Sequence, residues 1–250
     1  ACGEVGPGRM LEPIDLATAC AGLFDTGILS GLHLTITAGP TREAIDPVRF
    51  ISNHSSGKMA YALATEAIQL GARVTLISGP VTLAPPERAQ LVNVVSARQM
   101  LDASLAAAPE TDVFIGVAAV ADYRVAEQQP HKIKKSADTL QLELVRNPDI
   151  ISTIAALETR PFMVGFAAET QQLLEHGENK LNRKRLDLLF ANDATATFNS
   201  DSIAATALWP AANGTQQQSL GPGNKHLIAR HMLALIKERL DANATSGTRV

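Results

Sequence analysis

Cysteine is nearly missing from this chain: Cys2 and Cys20 are the two it carries in 250 residues. Two cysteines cannot build a disulfide framework or a thiolate zinc site, and such scarcity points to a reducing cytoplasm. The histidines, at 33, 54, 131, 176, 226 and 231, show no HExxH-type spacing, so no metal ligands can be assigned from the sequence. No apolar run reaches the roughly 20 residues that cross a bilayer. The first ten residues, ACGEVGPGRM, lack both a starting Met and the basic region and apolar core of a signal peptide. A dominant charge is missing too. A net charge of −3 supplies no general attraction for nucleic acid or an anionic membrane, so basic residues have to be read locally.

The length and the values of 46% hydrophobic and 19% charged residues suit one main globular domain with a sizeable core. Residues 1–31 are punctuated by Gly and Pro around one amphipathic stretch, Ile14 to Phe24, and read as an appendage and linker. The globular domain is placed at 32–250. LHLTITAG (32–39) alternates and is β-branched, which predicts a strand; Gly57 to Leu70 has helical spacing and stops at Gly71; ARVTLISGP (72–80) predicts the next strand. That βαβ unit implies a parallel pair with a right-handed crossover.

Strand Leu91–Val95, helix Ala97–Ala108 and the apolar strand Asp112–Val117 continue the pattern. An irregular segment, 119–137, follows and holds the basic cluster from His131 to Lys135. Further strands are predicted at TLQLELV (139–145), FMVGFAA (162–168) and DLLFAND (187–193), with helices at Ile150–Leu157 and Thr170–Arg185. The stretch 194–222 reads as a loop with one edge strand, Ala204–Trp209. A helix from Lys225 to Leu240 and a solvated tail close the chain. The fold class is α/β: a Rossmann-like three-layer α/β/α domain with a mainly parallel sheet.

The most informative run is Gly39 to Met59, GPTREAIDPVRFISNHSSGKM, lying between the first strand and the first helix. A glycine turn, Arg49, Asn53 and Ser55-Ser56-Gly57 at that place suit a phosphate or nucleotide, because backbone N–H groups and a helix N-terminus face the ligand. The run contains neither GxGxxG nor the Walker A spacing. Arg49 and Asn53, four apart, can hold a phosphate and an acyl oxygen; a surface arginine beside a turn-forming asparagine fits the same spacing.

Asp122, in the small-residue stretch after the apolar strand, can take a ligand hydroxyl or a magnesium ion, or serve as a plain cap. Lys132, Lys134 and Lys135 are either a solvated face or a loop that closes over a triphosphate. Lys180 and Lys184 share a helix face and can reach phosphates at the sheet edge, though exposed helix faces often carry lysines at this spacing. Phe166 is core or a base-stacking ring.

GPTREAIDPVRFISNHSSGKM, GVAAVADYR, KIKK, RNPDI, GFAAET and AND, in this order, resemble the phosphopantothenate–cysteine ligase half of the bacterial bifunctional coenzyme A biosynthesis protein. The resemblance runs from about Leu32 to the last helix. ACGEVGPGRM is similar to the end of the decarboxylase half, with Cys2 at its acid position. The flavin-binding body of that half is not in these residues, so no decarboxylase activity is expected of them.

The resemblance implies that CTP activates the carboxylate of 4′-phosphopantothenate as an acyl cytidylate, and that L-cysteine then displaces CMP. It implies Mg2+ as cofactor. It places Gly116, Val117, Ala118, Asp122, Lys132, Asn147, Pro148, Asp149, Ile150, Phe166, Lys180 and Lys184 in the CTP site. Lys132 would assist cytidylate formation. Asn53, supported by Arg49 and Ala118, would handle the intermediate, with Gly39, Ser55, Ser56, Gly57 and Asn192 on the substrate side. A homodimer is implied, its interface built from extra strands, for which 139–145 and 204–209 are the candidates.

The alternatives are a Rossmann-type NAD(P)-binding oxidoreductase and a non-enzymatic nucleotide-binding module. Neither Tyr61 nor Tyr123 has a Lys four residues on, which removes the short-chain dehydrogenase pair from the first. The second needs none of Asn53, Lys132 or Lys180.

Overall fold

A computed structural model describes residues 27–134, 138–169, 173–193 and 202–245, with Pro13, Leu16 and Cys20 besides. Cys2 and most of the segment read as appendage lie outside the described residues, as do all of 194–201 and the last five positions.

From residue 27 onward the first elements are β1 (His33–Ala38), the short strands β2 (Glu43–Ala44) and β3 (Phe50–Ile51), and α1 (Lys58–Gln69). Then come β4 (Arg73–Ser78), β5 (Gln90–Asn93), α2 (Ala97–Ala107), β6 (Val113–Gly116), β7 (Tyr123–Val125) and β8 (Leu144–Arg146). The second half holds α3 (Ile150–Ala155), β9 (Phe162–Glu169), α4 (Leu173–Arg183), β10 (Leu188–Asp193), β11 (Ser202–Ala211), β12 (Gly214–Asn224) and α5 (Lys225–Thr245).

Eight strands make one sheet in the order β12-β11-β10-β9-β6-β1-β4-β5. Pairing is parallel from β10 through β5, while β11 and β12 join antiparallel at one edge. α1 and α5 pack on one face, over Leu34, Ile36 and Phe190; α2, α3 and α4 pack on the other, over Phe114, Met163 and Leu189. This is the predicted three-layer α/β/α arrangement. Burying a ring such as Phe114 or Phe190 completely contributes roughly 1.5–3 kcal/mol each, so the central strands anchor both layers.

The packed body takes in the turn before β1: Leu29 is fully buried and its N–H donates to the Leu70 carbonyl at 2.9 Å. Three other readings change. TLQLELV pairs only through its end, where β8 joins β7 in a separate two-stranded piece. Leu140, Leu142 and Leu144 stay exposed, so alternation there does not report a strand with a buried face. Residues 214–222, read as loop, belong to the long strand β12, which is rich in Gln, Ser and Gly and exposed along most of its length. The final helix runs five residues beyond Leu240, to Thr245.

Strand order reverses at β1, with β4 and β5 on one side and β6 on the other. In open parallel sheets, loops leaving the strands' carboxyl ends part at such a point and leave a crevice for ligands. The loops after β1 and β6 meet there, through a bridge between Pro40 and Ala119.

Candidate active site

The crevice is built by small residues in unusual backbone conformations. Gly39 and Gly57 have φ of +70° and +76°, the left-handed region that favours glycine. A Cβ at either would come within 2.7 or 2.9 Å of Val81 Cγ1. The two turns lie against each other, and Gly57 opens α1 directly. Ser55, Ser56 and Gly57 line a pocket of about 140 Å³ together with Gly39, facing Val117 and Phe166 across it. Asn192, buried in β10, also lines it, as do Lys58 and Lys225. The structure thus joins the cradle read from the sequence to the β6, β9 and β10 strand ends.

Asn53 ties two loops together. Its Nδ2 donates to the Ala119 carbonyl at 2.6 Å, while its Oδ1 accepts from Ser55 N–H at 3.0 Å. Ala119 N–H donates to the Gly39 carbonyl at 3.0 Å, and Ala118 N–H reaches Thr37 Oγ1 at 3.3 Å. Gly116 sits in the buried end of β6, where a Cβ would meet Ile151 Cδ1 at 2.6 Å. Asp122 is exposed. Its carbonyl accepts from Asn147 N–H at 2.8 Å, and Asn147 Nδ2 donates to the Ala121 carbonyl at 2.8 Å.

Pro148 follows, and Asp149 caps α3 by accepting from Ser152 N–H at 3.1 Å, with Ile150 buried at the first turn. Lys184 Nζ lies 3.0 Å from Asp149 Oδ2. Burial raises the Asp149 carboxyl's pKa, but the Ser152 N–H and the Lys184 ammonium outweigh it and hold the group below its ordinary value. Lys180 Nζ donates to the Phe166 carbonyl at 2.5 Å, and the Phe166 ring packs at 5.4 Å from that of Phe190. Phe166 is therefore both core and pocket wall.

Arg49 is committed to protein partners. Its Nε and Nη2 donate to Asp46 Oδ2 at 3.0 and 2.6 Å, and Nη2 donates also to the Ile133 carbonyl at 2.8 Å. Its side chain is 40% exposed and that of Asp46 is 0%. Burial raises the Asp46 pKa, but the N–H groups of Ile133, Val48 and Arg49 and the Arg49 side chain outweigh it, keeping the carboxyl well below the usual range. Lys132 is exposed, directly before Ile133.

Asp46, Lys58 and Lys225 were missed by the sequence reading. Asp46 had a signal in its place within the Gly39–Met59 run. Lys225 had none, because it arrives from 170 positions after Ser55. Among the described residues, no group of three or more His, Cys, Asp or Glu could hold a metal ion. No described helix is long and apolar enough to cross a membrane.

Comparison with known proteins extends this geometry. The domain described as "DNA/pantothenate metabolism flavoprotein C-terminal domain" matches residues 29–240. The coenzyme A biosynthesis bifunctional protein CoaBC of Haemophilus influenzae is 52% identical over 224 residues, covering 88% of this chain and 56% of that protein. The chain spans about half the length of the curated relatives it matches. The crystal structure of the C-terminal domain of a CoaBC protein is 38% identical with a TM-score of 0.72, covering 86% of this chain and 99% of that one. A Cab2 mutant in complex with phosphopantothenate-cysteine, 18% identical with a TM-score of 0.70 over 96% of this chain and 97% of that one, shares the fold. With the switch-point crevice in place and the match running from Leu29 to the last helix, this chain belongs to the family of the DNA/pantothenate metabolism flavoprotein C-terminal domain.

Proposed function

We propose that this chain is a CTP-dependent ligase that joins 4′-phosphopantothenate to L-cysteine in coenzyme A biosynthesis. The observation that carries the reading is the bond from Asn53 Nδ2 to the Ala119 carbonyl. It brings an anion cradle opening α1 beside strand ends suited to a nucleotide, in a family whose named relatives serve coenzyme A biosynthesis.

In the first half-reaction a carboxylate oxygen of 4′-phosphopantothenate attacks the α-phosphorus of CTP. An acyl cytidylate forms and pyrophosphate leaves. In the second, the cysteine amine attacks the acyl carbon, the acyl–oxygen bond breaks, CMP leaves and the amine loses a proton. The protein's tasks are alignment and charge stabilisation. Ser55, Ser56 and Gly57 at the start of α1 suit the substrate phosphate. Gly116 to Ala118, Asp122, Asn147 to Ile150, Phe166, Lys180 and Lys184 form the nucleotide side, and Lys132 offsets charge developing on the triphosphate. Asn53 serves the acyl–phosphate junction, with Arg49 and Ala118 in support, the Arg49 guanidinium being held by Asp46 and the Ile133 carbonyl.

Magnesium commonly binds one or two carboxylates and the substrate phosphates. The exposed carboxylate of Asp122 and the lack of a three-ligand cluster among the described residues fit an ion brought by CTP. When bound, the ion would neutralise triphosphate charge. A homodimer belongs to the same reading, supported by the exposed Leu140, Leu142 and Leu144. In the full-length protein the adjoining unit would be the decarboxylase domain. The reading gives no role to nucleic acid or to a membrane.

Purified protein given CTP, magnesium, 4′-phosphopantothenate and cysteine should release pyrophosphate and CMP in equal amounts. Folded protein that releases no cysteine-dependent CMP refutes the reading. An NAD(P)-linked absorbance change with a hydroxyacyl or carbonyl substrate would favour the oxidoreductase instead.

A further inference from the structure

The residue that holds the lysine segment in place is a buried carboxylate outside the groups assigned to the site. Asp46 divides its two oxygens between two tasks. Oδ1 accepts from the N–H groups of Val48 and Arg49, both at 2.8 Å, and closes the turn between β2 and β3. Oδ2 accepts from Arg49 Nε and Nη2 and from Ile133 N–H, the last at 3.1 Å. Arg49 Nη2 then reaches the Ile133 carbonyl. Both backbone polar groups of one residue are thereby clamped by one ion pair, and that residue is the next after Lys132.

The platform beneath the clamp is firm. Glu43, buried in β2, accepts from Ala97 N–H at 2.9 Å and fixes the hairpin to the start of α2. Arg42 N–H donates to the Val95 carbonyl at 2.8 Å, and Gln129 N–H donates to the Ile45 carbonyl at 3.0 Å. Asn53 lies four residues after Arg49 on the same run, bonded to Ala119. One short hairpin therefore sets both the Lys132 segment and Asn53.

We propose that Asp46 is a positioning residue: with Arg49 it latches the backbone of Ile133 and so places Lys132 for the first half-reaction, an inference that rests on the ligase reading for its chemistry. Removing Oδ2 as an acceptor frees the segment while leaving the hairpin turn closed. Asp46→Asn does this, because the amide oxygen still serves Val48 and Arg49 while the NH2 faces three donors. Ile133→Pro tests the latch from the other side, deleting the clamped N–H without altering the hairpin.

The test uses the whole chain and two readouts. Trypsin cleavage after Lys134, and deuterium uptake of the 126–134 stretch, should each rise about tenfold or more in both variants, the factor that a lost hydrogen bond to a charged group corresponds to. Pyrophosphate release should slow by a similar factor in both, whereas discharge of pre-formed acyl cytidylate by cysteine should stay within about twofold of wild type. Unchanged cleavage and uptake overturn the latch. Faster cleavage with unchanged pyrophosphate release, or equal slowing of both half-reactions, overturns the positioning role. Wild-type protein that releases no pyrophosphate refutes the ligase reading instead, and the cleavage and uptake results still decide the latch.

Discussion

Asn53 Nδ2 donates to the Ala119 carbonyl at 2.6 Å, joining loops 66 positions apart in the chain. The loop after β1 and the loop after β6 are thereby held as one wall of the crevice. Asn53 is suited to the link because a single amide both donates to Ala119 and accepts from Ser55 N–H.

Asn53→Asp keeps the acceptor for Ser55 and turns the donor into a second oxygen facing a carbonyl. A partly buried acceptor left without its donor costs about 1–3 kcal/mol, so denaturant midpoints should fall modestly. Completion with cysteine should fall more than pyrophosphate release, since the proposed ligase reading gives Asn53 the turnover of the acyl intermediate. Rapid-quench measurement of the two half-reactions checks this; equal loss in both contradicts the role given to Asn53.

Gly57→Ala should destabilise the fold and weaken the cradle. The left-handed conformation costs a non-glycine residue about 1–2 kcal/mol, and the new methyl meets Val81 Cγ1 at 2.9 Å. Gly57→Ala with Val81→Ala should recover the steric part and leave the conformational cost. Urea unfolding separates the two contributions. A single variant as stable as wild type contradicts the conformation assigned to Gly57.

The Asp149–Lys184 pair should make stability depend on acid. The Asp149 carboxyl is held below its ordinary value in the folded state, so its contribution is fully present above the unfolded value, about 3.9. It is lost as pH falls through the depressed folded value. Asp149→Asn retains a competent helix cap and removes the charge. The stability gap between wild type and variant should therefore be constant at neutral pH and shrink below about pH 4. Unfolding measured across that range tests it, and a gap that widens in acid contradicts the sign.

Much of this architecture can be read from local signals. The β-branched alternation at 32–38 and the apolar run at 112–117 identify central strands because those strands are buried, and buried strands carry strong patterns. β12 escaped because its exposed Gln and Ser positions need no alternation; it is held by its partner β11. TLQLELV shows the converse, since its period-two leucines are exposed and only its end pairs as a strand. Within the site, Gly39, Asn53 and Gly57 were legible as turn and cap chemistry. The place of Asp46 in the Gly39–Met59 run was a signal, but its task was not legible: its pairing with Ile133 spans 87 positions, and no local pattern encodes a contact of that range.

The central claim is that the carboxylate is activated as an acyl cytidylate, and oxygen transfer tests it most directly. 4′-Phosphopantothenate carrying oxygen-18 in both carboxylate positions is turned over with CTP, magnesium and L-cysteine, and the CMP is analysed by mass. The account predicts one labelled oxygen in each CMP and one in the amide product, because the atom that attacked the α-phosphorus leaves with it. CMP free of label, formed along with the ligated product, would contradict the account.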